Sequence, residues 1–171
     1  MELQTARCTV RPFRPADAAS LARHANDRRV WRNLRDQFPH PYAVADAEWY
    51  IAHVAGQSPV TTFAIDVAGE AVGSIGLVLG TDIARRSAEI GYWLGEAHWG
   101  RGIVSAAVGA VTAYAFRDLD LLRVFAVPLA RNPASVRVLE RAGYQREGTM
   151  RRSAVKDGEV LDQYLYAAVR E

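Results

Sequence analysis

Hydrophobic and polar positions in the first third of the chain alternate once and then follow a helical period. Residues 3–13 alternate and predict a first strand. Apolar residues at helical spacing then predict helices over residues 17–25, 28–34 and 46–54. Phe38-Pro39-His40-Pro41-Tyr42 separates the last two helices, because proline cannot continue a helix and restricts the residue before it.

The middle of the chain changes to the period of strands. Two strand-like runs over residues 62–67 and 71–79 flank Ala68-Gly69-Glu70, which is a hairpin signal. A further strand is predicted over residues 87–94. The helix that follows, over residues 102–116, is apolar on most sides and is therefore expected to be largely buried.

The last third predicts one strand, one helix and a strand pair, over residues 122–127, 132–141, 144–155 and 160–169. Gly143 suits the end of the helix, and Asp157-Gly158 is a favoured hairpin turn. This order of elements predicts a mixed α/β fold with a mostly antiparallel, twisted sheet of about seven strands flanked by helices.

Composition predicts one soluble domain over residues 1–171, since half of the residues are apolar and 23% are charged. The formal net charge is only +2, and the arginine pairs are scattered, which argues against a nucleic-acid partner. No apolar run approaches the ~20 residues that a membrane span needs. The start of the chain carries no targeting signal, so we expect a cytoplasmic protein without a membrane partner.

Metal and disulfide chemistry is not expected from this sequence. Cys8 is the only cysteine, so an intramolecular disulfide and a thiolate metal site are both ruled out. The histidines are dispersed along the chain and do not share metal-ligand spacing with carboxylates, at positions His24, His40, His53 and His98.

The most informative feature is the stretch of residues 89–105, where an apolar strand runs into Gly100-Arg101-Gly102 and then directly into the alanine-rich helix. Glycines let the backbone approach a ligand closely, and the first turn of a helix offers N–H groups without partners. The helix dipole adds partial positive charge at the same place. The stretch therefore predicts a site for a ligand that carries a diphosphate.

Three ligand classes use a glycine loop at the start of a helix. A P-loop needs a lysine and then Ser or Thr after its second glycine, where this chain has Ile103 and Val104. A dinucleotide fold needs glycine or alanine where Ser105 stands. It also needs an acid after the next strand, but that strand ends in Val127-Pro128-Leu129, without an acid. The residues argue against both classes, and acyl-coenzyme A is the third.

Several segments, in order, resemble the GNAT superfamily of N-acetyltransferases and more narrowly its RimJ/RimL-like branch. Residues 9–17 are similar to the first strand and turn of that family, and residues 38–42 to its substrate-side loop. Glu89-Ile90-Gly91-Tyr92-Trp93-Leu94 and Trp99-Gly100-Arg101-Gly102 resemble its acetyl-CoA strand and loop. Residues 132–144, beginning Asn132-Pro133-Ala134-Ser135, resemble the helix that flanks the coenzyme.

The resemblance implies the acyl-CoA N-acyltransferase fold and transfer of an acetyl group from acetyl-CoA to an amine. The acceptor would be a protein N-terminus or a small-molecule amine, attacking directly in a ternary complex and without a metal. The residues expected to contact the coenzyme are Trp93, Leu94, Trp99, Gly100, Arg101, Gly102, Ile103, Val104, Ser105, Asn132 and Ser135.

Two residues are candidates for the chemistry itself. Glu89 is either the base that removes a proton from the amine or a structural acid paired with an arginine, at position 85, 86 or 101. Ser135 either hydrogen-bonds the coenzyme sulfur and protonates the departing thiolate, or only supports the first helical turn. Asn132 is the N-cap, a ligand to the pantetheine amides, or both.

The acceptor side is predicted to involve His40 and Tyr42, which stand beside prolines in a loop, together with Trp31. The chain departs from the family pattern at Val104, where a small residue is usual, and at Leu139, where many members carry a tyrosine. These departures keep open an alternative, a catalytically inactive acyl-CoA-binding sensor or structural protein of the same fold. A homodimer is also left open.

Overall fold

The computed structural model describes all 171 residues. Five α-helices are present, α1 Ala18–Ala25, α2 Arg28–Trp31, α3 Val44–Val54, α4 Ile103–Arg117 and α5 Pro133–Arg141. Eight strands are present, β1 Leu3–Gln4, β2 Thr9–Arg11, β3 Thr62–Val67, β4 Glu70–Leu79, β5 Ser87–Leu94, β6 Arg123–Ala126, β7 Gln145–Lys156 and β8 Glu159–Val169.

All eight strands form one sheet in the order β1-β2-β3-β4-β5-β6-β8-β7. Neighbouring strands run antiparallel except β5 and β6, which run parallel. The mixed α/β class is therefore confirmed, with eight strands where about seven were expected. The extra strand arises because residues 3–13 form two strands and not one. The Thr5 hydroxyl accepts the N–H of Cys8 at 2.9 Å and donates to its carbonyl, and this local turn reverses the chain so that β1 pairs antiparallel with β2.

The sheet splays open in its middle, and this opening positions the site. β5 pairs with β6 only from Ser87 to Glu89, whose partner is Phe125. β6 ends one residue later at Ala126, whereas β5 continues to Leu94 along β4. Beyond Glu89, one edge of β5 consequently has no neighbouring strand.

Helix α4 links the two parallel strands and packs on one face of the sheet. Its residues Ala107, Val108 and Val111 are fully buried in the main core with Ile90 and Leu94 of β5. The prediction that this helix is largely buried is confirmed. Because the alternate residues of β5 face α4, its remaining side chains point to the opposite face of the sheet, where Glu89 and Trp93 lie.

A second, smaller core joins α1 and α3 to the opposite face of the sheet. Arg11 is buried beside it and forms ion pairs with Asp17 at 2.8 Å and Asp66 at 2.7 Å. These pairs raise the pKa of Arg11 and keep both β2 and the start of α1 attached to β3. No helix is both long and apolar enough to cross a membrane.

Candidate functional site

A cleft of about 1730 Å³ occupies the splay between β5 and β6. Its helix end is formed by residues 98–105 and the inner side of α5. Its loop end is formed by residues 33–39 between α2 and α3 and by α3 itself. Thirteen of the fifteen residues predicted to form the site line this cleft, namely Glu89, Trp93, Leu94, Trp99, Gly100, Arg101, Gly102, Ile103, Val104, Ser105, Asn132, Ser135 and Tyr42.

The helix end presents a row of free main-chain donors. Gly102 is the N-cap of α4 and has a φ of 73°, and Gly100 has a φ of 74°. Both values lie in the left-handed region that glycine adopts without steric cost. None of the N–H groups of residues 100–105 donates to a backbone or side-chain acceptor of the protein. The first main-chain bond of the helix runs from Ala106 to the Gly102 carbonyl.

Three arginines line this end of the cleft. Arg101 is exposed in the glycine loop, and Arg137 and Arg141 lie one turn apart on α5. Their charges add to the partial positive charge at the start of α4 and favour an anion there. The two α5 arginines were missed in the sequence, although their i, i+4 spacing after Asn132 places them on one face of the helix.

Trp99 fixes the glycine loop to the end of β5. Its indole Nε1 donates to the Leu94 carbonyl at 2.7 Å, while the side chain stays 45% exposed. Val104 is half-buried and packs against the main core. Val104 is larger than the small residue usual at this position, and its side chain is accommodated against the core.

His98 lies beside this loop in an environment that disfavours positive charge. Its ring contacts His24 edge to face, with centroids 5.2 Å apart, and its Nδ1 is buried without a hydrogen-bond partner. Burial lowers the pKa of His98, and His24 and Arg101 act in the same direction.

The start of α5 is capped and hydrogen-bonded to β5. The Asn132 Oδ1 accepts the N–H of Ser135 at 3.3 Å, so Asn132 is the N-cap of the helix. The Ser135 hydroxyl lies 2.8 Å from the hydroxyl of Tyr92. Burial raises the pKa of Tyr92 well above its ordinary value, so this phenol stays neutral. The Tyr92 contact was missed in the sequence, because it joins residues 43 positions apart.

Glu89 lies where the two ends of the cleft meet, at the last paired position of β5 and β6. Its carboxylate accepts from Arg35 at 2.6 Å, and its side chain is 26% exposed. The expectation that a structural Glu89 pairs with an arginine at position 85, 86 or 101 is therefore wrong. Arg85 and Arg86 bond to Asp82 and Asp120, and Arg101 lies at the helix end. The carboxylate thus already holds one exposed guanidinium cation from the loop end.

The loop end is aromatic. Tyr42 lines the cleft but is only 7% exposed, because it packs with Phe38 in the second core. Trp49 is 66% exposed and stacks on His53 with centroids 5.0 Å apart and an interplanar angle of 9°. Trp49 was not among the residues predicted to form the site, but its exposed ring and that of His53 line the cleft.

The structure does not bring Trp31 and His40 into the cleft. Their rings stack on each other at 5.6 Å, and the Lys156 ammonium lies 3.7 Å from the Trp31 ring centroid. Lys156 lines the cleft and pairs with Asp36 at 2.9 Å. Trp31 therefore helps to hold Lys156 in place by a cation–π contact, without lining the cleft itself.

The family model described as acetyltransferase (GNAT) domain matches residues 7–145 of the chain. A Bacillus licheniformis protein named "uncharacterized N-acetyltransferase p20" is 29% identical over 98% of this chain and 96% of its own length.

Two solved structures have the same fold over almost the whole chain. Mycobacterium smegmatis RimJ in complex with CoA-disulfide superposes with a TM-score of 0.82 at 28% identity, covering 95% of this chain and 81% of its own. RimL, titled ribosomal L7/L12 alpha-N-protein acetyltransferase in complex with coenzyme A, superposes with a TM-score of 0.86 at 19% identity. It covers 99% of this chain and 98% of its own.

Proposed function

The chain belongs to the acetyltransferase (GNAT) family, and on that premise we propose that it transfers the acetyl group of acetyl-CoA to a protein N-terminal amine. Acetyl-CoA-dependent acetyltransferase activity follows from the family and from the N-acetyltransferase relatives. The finer statements concern the acceptor, the coenzyme contacts and the role of each residue in the cleft.

The row of free N–H groups at residues 100–105 is the observation that carries the proposal. A diphosphate accepts several such donors at once, and the start of the 15-residue helix α4 adds its dipole. Arg101, Arg137 and Arg141 then face the remaining phosphate charge of the coenzyme. The residues present at this end fit coenzyme A by hydrogen bonding and by charge.

The unpaired edge of β5 fits the pantetheine arm. Gly95 donates to Val72 of β4 at 2.8 Å. Because peptide groups alternate along a strand, those of Trp93 also face β4, whereas those of Tyr92 and Leu94 face the splay. An arm that carries two amides can pair with the Tyr92 groups and the Leu94 N–H as a short extra strand, while the Leu94 carbonyl accepts from Trp99. This directs the thioester from the helix end towards Glu89.

Glu89 is the base in this proposal. A free α-amine has a pKa of about 8, so a carboxylate can remove its proton with modest assistance. The acceptor ammonium replaces the Arg35 guanidinium at the carboxylate and there loses one proton. As the nitrogen–carbon bond forms, the carbon–sulfur bond breaks and the amine loses its second proton. One of the two protons goes to the leaving thiolate and the other to solvent.

Ser135 lies on the opposite side of the splay from Glu89, at the start of α5. Its hydroxyl can donate a hydrogen bond to the sulfur, on which negative charge develops as the bond breaks. Asn132 holds the helix turn that carries Ser135, so the structural and functional roles of Asn132 are compatible.

An N-terminal α-amine is the proposed acceptor class because of the loop end and the family neighbours. RimL is named as an α-N-protein acetyltransferase, and the exposed Trp49–His53 stack offers contact area to a peptide. A small-molecule amine is the second candidate, since Glu89 and Asp46 are acids that line the same cleft.

A binding and turnover experiment tests the proposal. Calorimetry measures the heat of coenzyme A binding, and a thiol assay measures coenzyme A release over tetrapeptide amides beginning with Ala, Ser or Met, over spermidine and over kanamycin. We expect binding and release with at least one peptide. Release only with spermidine or kanamycin would move the acceptor to small amines. Binding without release would favour the inactive sensor, and absence of binding would refute the proposal.

A further inference from the structure

The hydroxyl of Tyr92 forms hydrogen bonds with one residue only, Ser135. It lies 2.8 Å from the Ser135 Oγ and 3.4 Å from the Ser135 carbonyl oxygen. Tyr92 is on the face of β5 opposite to Glu89, so this contact spans the space between β5 and α5. The roles proposed above for Glu89 and Ser135 do not use it.

Distance and donor strength together favour Tyr92 over Ser135 as the donor of this hydrogen bond. Hydrogen bonds between oxygens are strongest at about 2.5–3.0 Å, so a proton on Tyr92 is better placed on the Ser135 Oγ than on the carbonyl. A phenol is also a stronger donor than an aliphatic hydroxyl, and burial keeps the Tyr92 proton in place by raising the pKa. When Tyr92 donates, the proton of Ser135 is left free to point elsewhere.

The Ser135 hydroxyl proton can then point into the cleft. Ser135 lines the cleft, and its Oγ has no protein hydrogen-bond partner other than Tyr92. A serine in the first turn of a helix otherwise turns its hydroxyl towards local backbone groups. The Tyr92 hydroxyl opposes that rotation.

We propose that Tyr92 is a positioning residue that holds the Ser135 hydroxyl as a donor towards the sulfur of coenzyme A. This inference rests on the proposed function, since it assumes that the coenzyme sulfur reaches Ser135. Donation to sulfur stabilises the thiolate relative to the thiol, so the bound coenzyme thiol should ionise at a lower pH than the free thiol. No proton transfer from Tyr92 itself is involved.

Titration of bound coenzyme A tests the inference without any acceptor. The ultraviolet absorbance of the thiolate is followed against pH for coenzyme A saturated with the wild-type protein, Tyr92→Phe, Ser135→Ala and the double variant. We expect the wild-type protein to lower the thiol midpoint by about one pH unit. Each single variant should lose most of that shift, and the double variant should lose no more than Ser135→Ala, because both residues act through one hydrogen bond.

Tyr114→Phe is the matched control. Tyr114 is also buried, and its hydroxyl donates to the Val60 carbonyl at 2.9 Å, so its loss carries a similar stability cost without touching Tyr92 or Ser135. This control should keep the wild-type thiol midpoint. A Tyr92→Phe protein that binds coenzyme A and keeps the wild-type midpoint would overturn the inference and leave the proposed function intact.

A second probe covers the case in which Tyr92→Phe does not fold. Replacement of Tyr92 by 3-fluorotyrosine keeps the shape of the side chain and makes the phenol a stronger donor. We expect the thiol midpoint to fall by a further few tenths of a pH unit. An unchanged midpoint would overturn the inference. Absence of coenzyme A binding to the wild-type protein would instead remove the proposed function on which it rests.

Discussion

The two ends of the cleft are built in different ways. The helix end is made of regular elements and offers mainly backbone donors, in the unpaired edge of β5 and the first turn of α4. The loop end is made of side chains from α3 and from residues 33–39, several of them held by ion pairs such as Arg35–Glu89 and Lys156–Asp36. A backbone site suits a ligand that never changes, whereas a side-chain site can be altered by single substitutions to suit another acceptor.

Glu89 lies where the two ends meet, and its replacement should have the largest effect. Glu89→Gln keeps the shape but cannot accept a proton, so kcat should fall about 100-fold while the affinity for coenzyme A is retained. The Arg35 pair is exposed, so its loss should cost little stability. The change in kcat is measured from steady-state rates of thiol release with saturating substrates.

Glu48→Gln is the control for Glu89, because Glu48 is an exposed acid on α3 outside the cleft. It should retain wild-type rates. If Glu89→Gln keeps kcat within about threefold of the wild-type value, Glu89 is a structural acid and not the base.

Gly102→Val should weaken the binding of coenzyme A at the helix end without changing the loop end. Valine is strained at a φ of 73°, so the loop should rearrange and misalign the row of N–H donors. We expect the affinity for coenzyme A, measured by calorimetry, to fall about 30-fold. Gly69→Val is a matched control, because Gly69 has a φ of 87° in the β3–β4 turn, outside the cleft. Equal loss of affinity in both variants would attribute the effect to general destabilisation.

Trp49→Ala should alter the loop end without affecting the helix end. Loss of its exposed ring should raise the KM for a peptide acceptor about fivefold and leave the KM for acetyl-CoA unchanged. His40→Ala is the comparison, because His40 is an exposed aromatic residue that does not line the cleft. A change in the KM for acetyl-CoA on replacing Trp49 would contradict the separation of the two ends.

The smallest effect concerns the pH dependence of stability at the helix end. The pKa of His98 is lower in the folded chain than in the unfolded chain, so the unfolded state binds the proton more readily. The folded chain is therefore most stable, as far as His98 is concerned, above the unfolded pKa of about 6.5, and it loses stability as the pH falls below that value. When the pH is lowered from 7.5 to 5.5, the melting temperature of His98→Gln should fall by about 1–2 °C less than that of the wild-type chain. Parallel pH profiles would contradict this account.

The helix end could be predicted from sequence because its signals are local. The strand over Ser87–Leu94 was predicted to the residue, and Gly102 caps a helix that begins at Ile103, one residue later than expected. Apolar alternation, paired glycines and an alanine-rich run specify these elements within a short window.

The loop end could not be predicted in the same way, because its geometry depends on long-range contacts. Arg35 and Glu89 are 54 positions apart, and Lys156 reaches Asp36 across 120 positions. His40 stands beside prolines in a loop and Trp31 in a predicted helix. Both were expected at the acceptor side, yet they stack on each other outside the cleft. Which aromatic residue faces the cleft is decided by the packing of α3, and a helical period does not specify that choice.

The most direct test of the account is the response of the amides of residues 102–105 to two ligands. Nuclear magnetic resonance is used to follow these N–H signals while the protein is titrated with coenzyme A and, separately, with pantetheine, which lacks the diphosphate. We expect large downfield shifts of these amides with coenzyme A and small ones with pantetheine. Tight binding of coenzyme A that leaves these amides unchanged would contradict this expectation.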